Sequence, residues 1–187
     1  GLCYKDGLLL RPLAPATPLP DDLFYQMYQE RLYAAIAPLP NSNATLVVYN
    51  THRRYEQATM TFSRTFTAAD YAEAGGMIQP YPGLWSAPPE GLLVYDWYNK
   101  TAQKRGDGYE VSLVNFDYRI LQLSPIQHGW AVVGRTDKYL SAAAVKSVQA
   151  ETDKLVVELH RGGPLTLWTE LGFPLADGVD FIDCGNG

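Results

Sequence analysis

Ser-Pro-Ile-Gln-His-Gly-Trp-Ala-Val-Val-Gly-Arg-Thr-Asp-Lys-Tyr-Leu-Ser-Ala-Ala-Ala-Val, residues 124–145, leads through the polar break Glu151 to Asp153 into Lys-Leu-Val-Val-Glu-Leu-His-Arg-Gly-Gly-Pro-Leu-Thr-Leu-Trp, residues 154–168. Apolar and β-branched residues alternate with polar ones over short runs, and Gly or Pro closes each run. That is the pattern of short antiparallel strands joined by tight turns, because strand side chains point to opposite faces at every step. The stretch carries no catalytic motif.

Working outward, Leu92 to Tyr98, Tyr109 to Phe116 and Tyr118 to Ser124 read as further strands, the first two separated by a polar linker from Asn99 to Gly108. Thr45 to Asn50 and Ala58 to Thr65 read as a strand pair across the long polar turn Thr51 to Gln57. Thr67-Ala68-Ala69-Asp70 has the form of a capping box with an acidic third position, predicting a short helix to Ala74 that stops at Gly75-Gly76. Gln79 to Pro89 holds four prolines and Trp85, and is expected to be an irregular, shaped surface loop. Residues 12–20 form a stiff, extended lead-in, since each proline lacks an amide donor and biases its predecessor away from helix. After it, Asp21 or Asp22 is placed to cap a helix whose apolar groups recur at Leu23, Met27, Tyr28, Leu32, Ala35 and Ile36 until Pro38. Beyond Trp168 the pattern weakens, and the stretch to Gly187 reads as a tail returning towards the start. The fold expected is mainly β, an antiparallel two-layer β-sandwich with one or two short helices in the N-terminal half.

The chain of 187 residues suits one domain spanning 1–187, with 1–20 as its Pro-rich lead-in. Apolar residues make up 47% and charged residues 19%, a balance that supports a packed core, and 13 Tyr with 4 Trp favour sheet. A net charge of −5 with scattered basic residues argues against a nucleic-acid partner. No apolar run approaches the roughly 20 residues of a membrane helix, so no membrane role is expected. The first residue is Gly, not Met, so the natural gene is expected to start upstream. Cys3 and Cys184 stand near opposite ends, and a disulfide between them and two free buried thiols remain equal alternatives. Asn43-Ala44-Thr45 and Asn99-Lys100-Thr101 match the N-glycosylation triplet, which chance also produces, and localisation stays open.

The order of the pieces resembles the C-terminal β-domain of the α-galactosidase and raffinose synthase (seed imbibition protein-like) group of glycoside hydrolases. A strand into Pro (Leu123 to Pro125), a Gly-Trp-Ala strand (Gly129 to Gly134), an Asp-Lys-Tyr-Leu-Ser-Ala link (Asp137 to Ala142) and a closing hairpin with a Gly-Gly turn (Leu155 to Trp168) follow one another as in that group. Upstream, Asp6-Gly7, Leu10-Arg11, Thr17-Pro18 and Asp22-Leu23-Phe24 resemble the family's exit from its catalytic barrel, and Val47 to Asn50 its Val-(Trp or Tyr)-Asn strand. The resemblance covers most of the chain and rests on order, no single piece being diagnostic. It implies a more extended chain where helical spacing is read after Asp22. It also implies a noncatalytic accessory domain that stabilises a catalytic barrel, its partner. The parent enzyme would cleave or transfer α-galactosyl units without a metal or organic cofactor. An apolar patch on this domain would then face the barrel.

The residues themselves point the same way. Retaining glycosidases hold two carboxylates about 5 Å apart on a rigid frame. The motifs that carry them in the resembled family do not recur here at a strand end, since Lys5-Asp6 and Lys104-Arg105-Gly106-Asp107 are turn-like. Asp177, Asp180 and Asp183 read as a solvated tail. No Gly-x-Ser-x-Gly elbow is present, and His52, His128 and His160 share no metal-ligand spacing, His128 reading as a turn residue. Gly162-Gly163 reads as a hairpin turn rather than a phosphate loop. No catalytic, cofactor-binding or metal-binding residue is therefore assigned. Aromatic residues remain. Tyr81 and Trp85 form a candidate carbohydrate platform, the basis of an alternative reading as a free-standing carbohydrate-binding module, while packing of Trp85 over a sheet edge is the favoured reading. Trp97, Trp130 and Trp168 read as core or interdomain packing residues.

Overall fold

Two-residue alternation in sequence becomes a six-stranded antiparallel sheet. The structure, a computed structural model, describes residues 1–19, 31–51, 60–75, 88–106, 108–172 and 182. In chain order its strands are β1 (Thr17–Pro18), β2 (Tyr33–Leu39), β3 (Asn43–Tyr49), β4 (Phe62–Phe66), β5 (Leu92–Asp96), β6 (Thr101–Arg105), β7 (Tyr109–Leu113), β8 (Tyr118–Pro125), β9 (Trp130–Gly134), β10 (Val145–Ala150), β11 (Leu155–Leu159) and β12 (Thr166–Thr169). One short helix, α1 (Ala68–Ala72), follows β4. The large sheet runs β1-β2-β3-β8-β5-β6, and three two-stranded ribbons, β4-β7, β9-β12 and β10-β11, complete an antiparallel, sandwich-like β fold.

The first face of the large sheet is dry. Ala34, Ile36, Leu46, Val48, Val94, Leu121 and Leu123 alternate inward from four strands and meet Phe66, Val111 and Leu113 of the β4-β7 ribbon. Tyr71 of α1 seals this core, and its hydroxyl donates to the Ser42 carbonyl (2.5 Å). Each large aliphatic side chain buried there contributes about 2 kcal/mol of transfer free energy. The helix forms where the capping box is read. Ala69 donates its amide to the Thr67 hydroxyl (3.3 Å), and the Thr67 amide donates to the Asp70 carboxylate (2.7 Å). A 3-10 turn over Glu73–Gly75 ends it.

Four expectations need correction. Helical spacing through Ala35 and Ile36 gives way to strand β2, which pairs with β1 on one side and β3 on the other. Its first four residues also carry a period of two, with Ala34 and Ile36 buried and Tyr33 and Ala35 half-exposed, and pairing with β3 along its length and with β1 at Ala35 and Ile36 decides for strand. Residues 20–30, the rest of that expected helix, lie outside the described residues. Strands β3 and β4 do not pair with each other: β3 lies between β2 and β8, and β4 pairs with β7, so the two belong to different layers. The turn expected between them falls on residues 52–59, also outside the described set. The polar linker Asn99 to Gly108 contains β6, a sheet-edge strand whose charged side chains face water, which explains its polar composition. Finally, Gly162-Gly163 does not turn a hairpin, because β11 pairs with β10 and β12 crosses to β9. The hairpin turn lies at Glu151 to Lys154, where the Glu151 amide donates to the Lys154 carbonyl (2.8 Å).

Candidate functional site

The second face of the large sheet divides into two halves, and the division defines the site. Odd positions of β2 and β3 and even positions of β8 point to this face, opposite the dry core. At one end Leu93 and Tyr95 lie under Ile126, Ala131, Val133 and Trp168, and Leu39 lies under Tyr4, Leu10 and Ala142–Ala144. Between these two clusters sits Gln122, a polar side chain in the middle of the sheet and 3% exposed. Its Nε2 donates to the Val133 carbonyl (2.6 Å) and the Ser124 hydroxyl (3.1 Å), while its Oε1 accepts from the Ser141 hydroxyl and the Ala142 amide (3.2 Å). Both ends of the carboxamide are thus used to fasten β9 and the 3-10 turn Ser141–Ala144 onto the sheet.

Arg135 clamps the rim of this covered half. It is 8% exposed and forms a two-pronged pair with Asp137 through Nε–Oδ1 (2.9 Å) and Nη2–Oδ2 (2.8 Å). Its Nη1 donates to the Gly162 carbonyl (2.5 Å), and its guanidinium lies 5.2 Å from the centre of the Tyr4 ring. Hydrogen bonding from Arg135, reinforced by its charge, holds the Asp137 carboxyl below the usual carboxylate range despite partial desolvation. Gly163 packs against the same guanidinium with φ +148°, where a Cβ would overlap it. Gly163 thus serves a close approach of backbone to cation.

The other half of the face is aromatic and partly open. Tyr33, Tyr49 and Tyr118 stand directly opposite one another on β2, β3 and β8. The next row is Ala35, Val47 and Ile120, extended by Trp97, whose amide donates to the Ile120 carbonyl (2.9 Å). The Tyr33 and Tyr49 rings stack at 6.1 Å, and Trp97 meets Tyr139 at 4.6 Å. Tyr118 is 54% exposed and Tyr139 47%, with Tyr98 and Phe116 exposed on adjoining turns. Such a surface, apolar in body and edged by hydroxyls, suits association with another folded surface. On the opposite face, Arg119 lies over the Tyr98 ring at 4.3 Å and beside Asp96.

The carboxylates are engaged in local structure. Glu90 accepts the amides of His128 and Gly129 (both 2.8 Å), which lowers its pKa and holds the left-handed turn at His128 (φ 51°). Asp96, nearly buried, accepts from the Tyr98 and Asn99 amides and from the Asn99 side chain (2.7 Å). Asp6 and Glu158 are lowered by hydrogen bonds from Arg161 and Lys146 respectively. Among the described residues no group of three or more His, Cys, Asp or Glu side chains is arranged to hold a metal ion.

Tyr81 and Trp85, the carbohydrate platform read from the sequence, lie outside the described residues, as do His52, Asp177, Asp180, Asp183 and Cys184. Cys3 is exposed and pairs through its backbone with Leu9, which corrects the expectation of a buried thiol at that position. Trp130 and Trp168 are core residues, while Trp97 is half-buried on the aromatic half. Of the two glycosylation triplets, Asn43 is 3% exposed with its Nδ2 donating to the Pro40 and Asn41 carbonyls (3.0 and 3.2 Å), whereas Asn99 is exposed. The tyrosine row escapes sequence reading because Tyr33 falls within the expected helix. Only strand register brings it beside Tyr49 and Tyr118.

No protein-family model matches the chain, and no curated protein matches it.

Proposed function

We propose that the chain is a noncatalytic accessory β-domain of a glycoside hydrolase resembling α-galactosidases and raffinose synthases, and that it stabilises a catalytic barrel in carbohydrate metabolism. The observation that carries this reading is the aromatic half of the second face. The sheet beneath it is continuous with the covered half, yet Tyr118 and Tyr139 project into solvent beside Val47, Ile120 and Trp97. A barrel flank seated there would complete a layer that, among the described residues, the ribbons cover at one end. Three of the four C-terminal pieces that carry the resemblance support the reading further, while the fourth, the closing hairpin with a Gly-Gly turn, does not form, because β11 pairs with β10 and β12 with β9. Gly129 to Gly134 contains β9, Asp137 to Ala142 is the clamped link, and Leu123 to Pro125 ends β8, so they form one contiguous region.

The test is to sequence the natural reading frame upstream of Leu2. A barrel with two aspartates at strand ends is the expected result. A start codon immediately before this segment, or an upstream frame with no barrel, would overturn the proposal, as would hydrolysis of an α-galactoside by the isolated domain after contaminating activity is excluded.

A further inference from the structure

The turn between β7 and β8 carries a side chain that the fold itself does not need. Asp117 donates its amide to the Val114 carbonyl (3.1 Å), closing a four-residue turn whose third residue is Phe116. Phe116 has φ 56°, the left-handed region that favours glycine or asparagine at that place in a turn. Neighbouring segments hold the turn in this form, because the Asn50 amide donates to the Asp117 carbonyl (3.0 Å) and the Met60 amide to the Asn115 side chain. Burial of a large ring would offset such strain, yet Phe116 is 63% exposed, and Val114 of the same turn is 45% exposed.

The position of the turn identifies what covers the ring. From it β8 runs through Tyr118 to Ile120, whose carbonyl accepts from the Trp97 amide (2.9 Å) at the border of the open half. There the Trp97 indole donates to the Lys138 carbonyl (3.2 Å), and the Tyr139 ring packs on Trp97. Gly1 is tied to the same link, its carbonyl accepting from the Tyr139 amide (3.4 Å) and its nitrogen donating to the Asp137 carbonyl (3.3 Å). A unit joined to Gly1 is therefore held beside the aromatic half at high effective concentration, an advantage that a separate molecule lacks.

We infer that Phe116 is the anchor by which this domain grips the catalytic barrel of the proposed parent, its ring seated in an apolar pocket on the barrel flank beside Tyr118. The inference rests on the accessory-domain reading and deepens it. Interfaces concentrate their energy in a few aromatic side chains that become fully desolvated, and an exposed ring on strained backbone is stabilised only by what it touches in the assembled protein.

The experiment compares the 187-residue chain with the full-length natural protein. In the former, Phe116→Asn should keep the wild-type melting temperature or exceed it, since asparagine tolerates the left-handed turn. In the latter, the same substitution should speed the limited proteolysis that separates domain from barrel by about tenfold, the effect of losing an interface anchor. A photo-crosslinking phenylalanine analogue at position 116 should join to a barrel peptide, while the same analogue in place of Val156, exposed on the β10-β11 ribbon, should not. A fall in melting temperature of more than about 3 °C in the Asn variant would make Phe116 a residue of the fold and overturn the inference. So would unchanged proteolysis, or crosslinks absent at position 116 or equal at both positions. An upstream reading frame without a barrel overturns the accessory-domain reading and this inference together, whereas a barrel that does not touch Phe116 overturns the inference alone.

Discussion

The two halves of the second sheet face share strands, register and backbone, yet one is sealed and the other open. In the sealed half, Gln122 replaces a strand hydrophobe and spends its whole carboxamide on groups from β8, β9 and the 3-10 turn. In the open half the matching positions on the same strands are Tyr49, Tyr118 and Ile120, whose polar atoms, where present, sit at the outer end of a large apolar body. A buried carboxamide demands a covering layer that satisfies it, and a row of tyrosines does not. What a sheet face is covered by is therefore written in where its polar atoms sit along the side chain, more than in how apolar it is.

The sharpest way to break the sealed half is Gly134→Ala. Gly134 has φ +95°, and a Cβ there would overlap the Ser141 carbonyl, so β9 and the 3-10 turn must separate. A loss of about 4 kcal/mol is expected in urea denaturation, and a loss below about 1 kcal/mol would show that the two segments are not tightly joined. Gln122→Ala comes next. It strands the Ser141 hydroxyl, the Ala142 amide and the Val133 carbonyl, and an expected cost of about 3 kcal/mol is readable in the same assay.

A smaller effect belongs to the Arg135–Asp137 clamp and appears as pH dependence. Because the folded-state pKa of Asp137 is depressed, chiefly by its hydrogen bonds from Arg135, the folded state binds its proton less readily than the unfolded state. Its contribution to stability is full above the ordinary carboxylate pKa of about 3.9, and is lost as pH falls through the lower folded value. Asp137→Asn should flatten the fall in stability with acid, measured as melting temperature from pH 6 down to pH 2. An unchanged acid slope would remove the clamp from the account, leaving Asp6, Glu90 and Glu158, which are depressed in the same direction.

The smallest effect on stability is predicted for the open half. Tyr118→Ala removes a 54% exposed ring and should cost less than about 1 kcal/mol. Joined to a barrel, the same substitution should loosen association far more than it loosens the fold, as seen by comparing limited proteolysis of the joined protein with denaturation of the domain alone. A large stability loss in the isolated domain would instead make the aromatic row part of the core.

Local sequence accounts for a good part of the architecture on which this contrast rests. The capping box at Thr67, strands β5, β7 and β8, and the polar break after β10 at Glu151 to Asp153 all depend on neighbours in sequence, and they fall where local spacing puts them. Tyr33 to Leu39 is not legible as a strand, because Ala, Ile and Leu at those positions fit a period of 3.6 as well as one of two, and only flanking strands β1 and β3 decide between them. Polar β6 escapes the pattern because an edge strand needs few apolar residues. The Gly-Gly pair misleads since glycine pairs mark hairpins and close approaches alike, and the Arg135 guanidinium that Gly163 meets lies 28 residues upstream (163 minus 135).

By itself the sequence determined an antiparallel β class, the short capped helix and a globular chain of modest negative charge, all consequences of local sterics, periodicity and composition. Only the tertiary structure decided which strands are neighbours, that Gln122 would be a hub rather than a surface residue, and that Tyr33, Tyr49 and Tyr118 would align into one row. Register between strands is a long-range property: it follows from which pairing buries the most apolar surface while satisfying every buried polar group, and no single segment carries that sum.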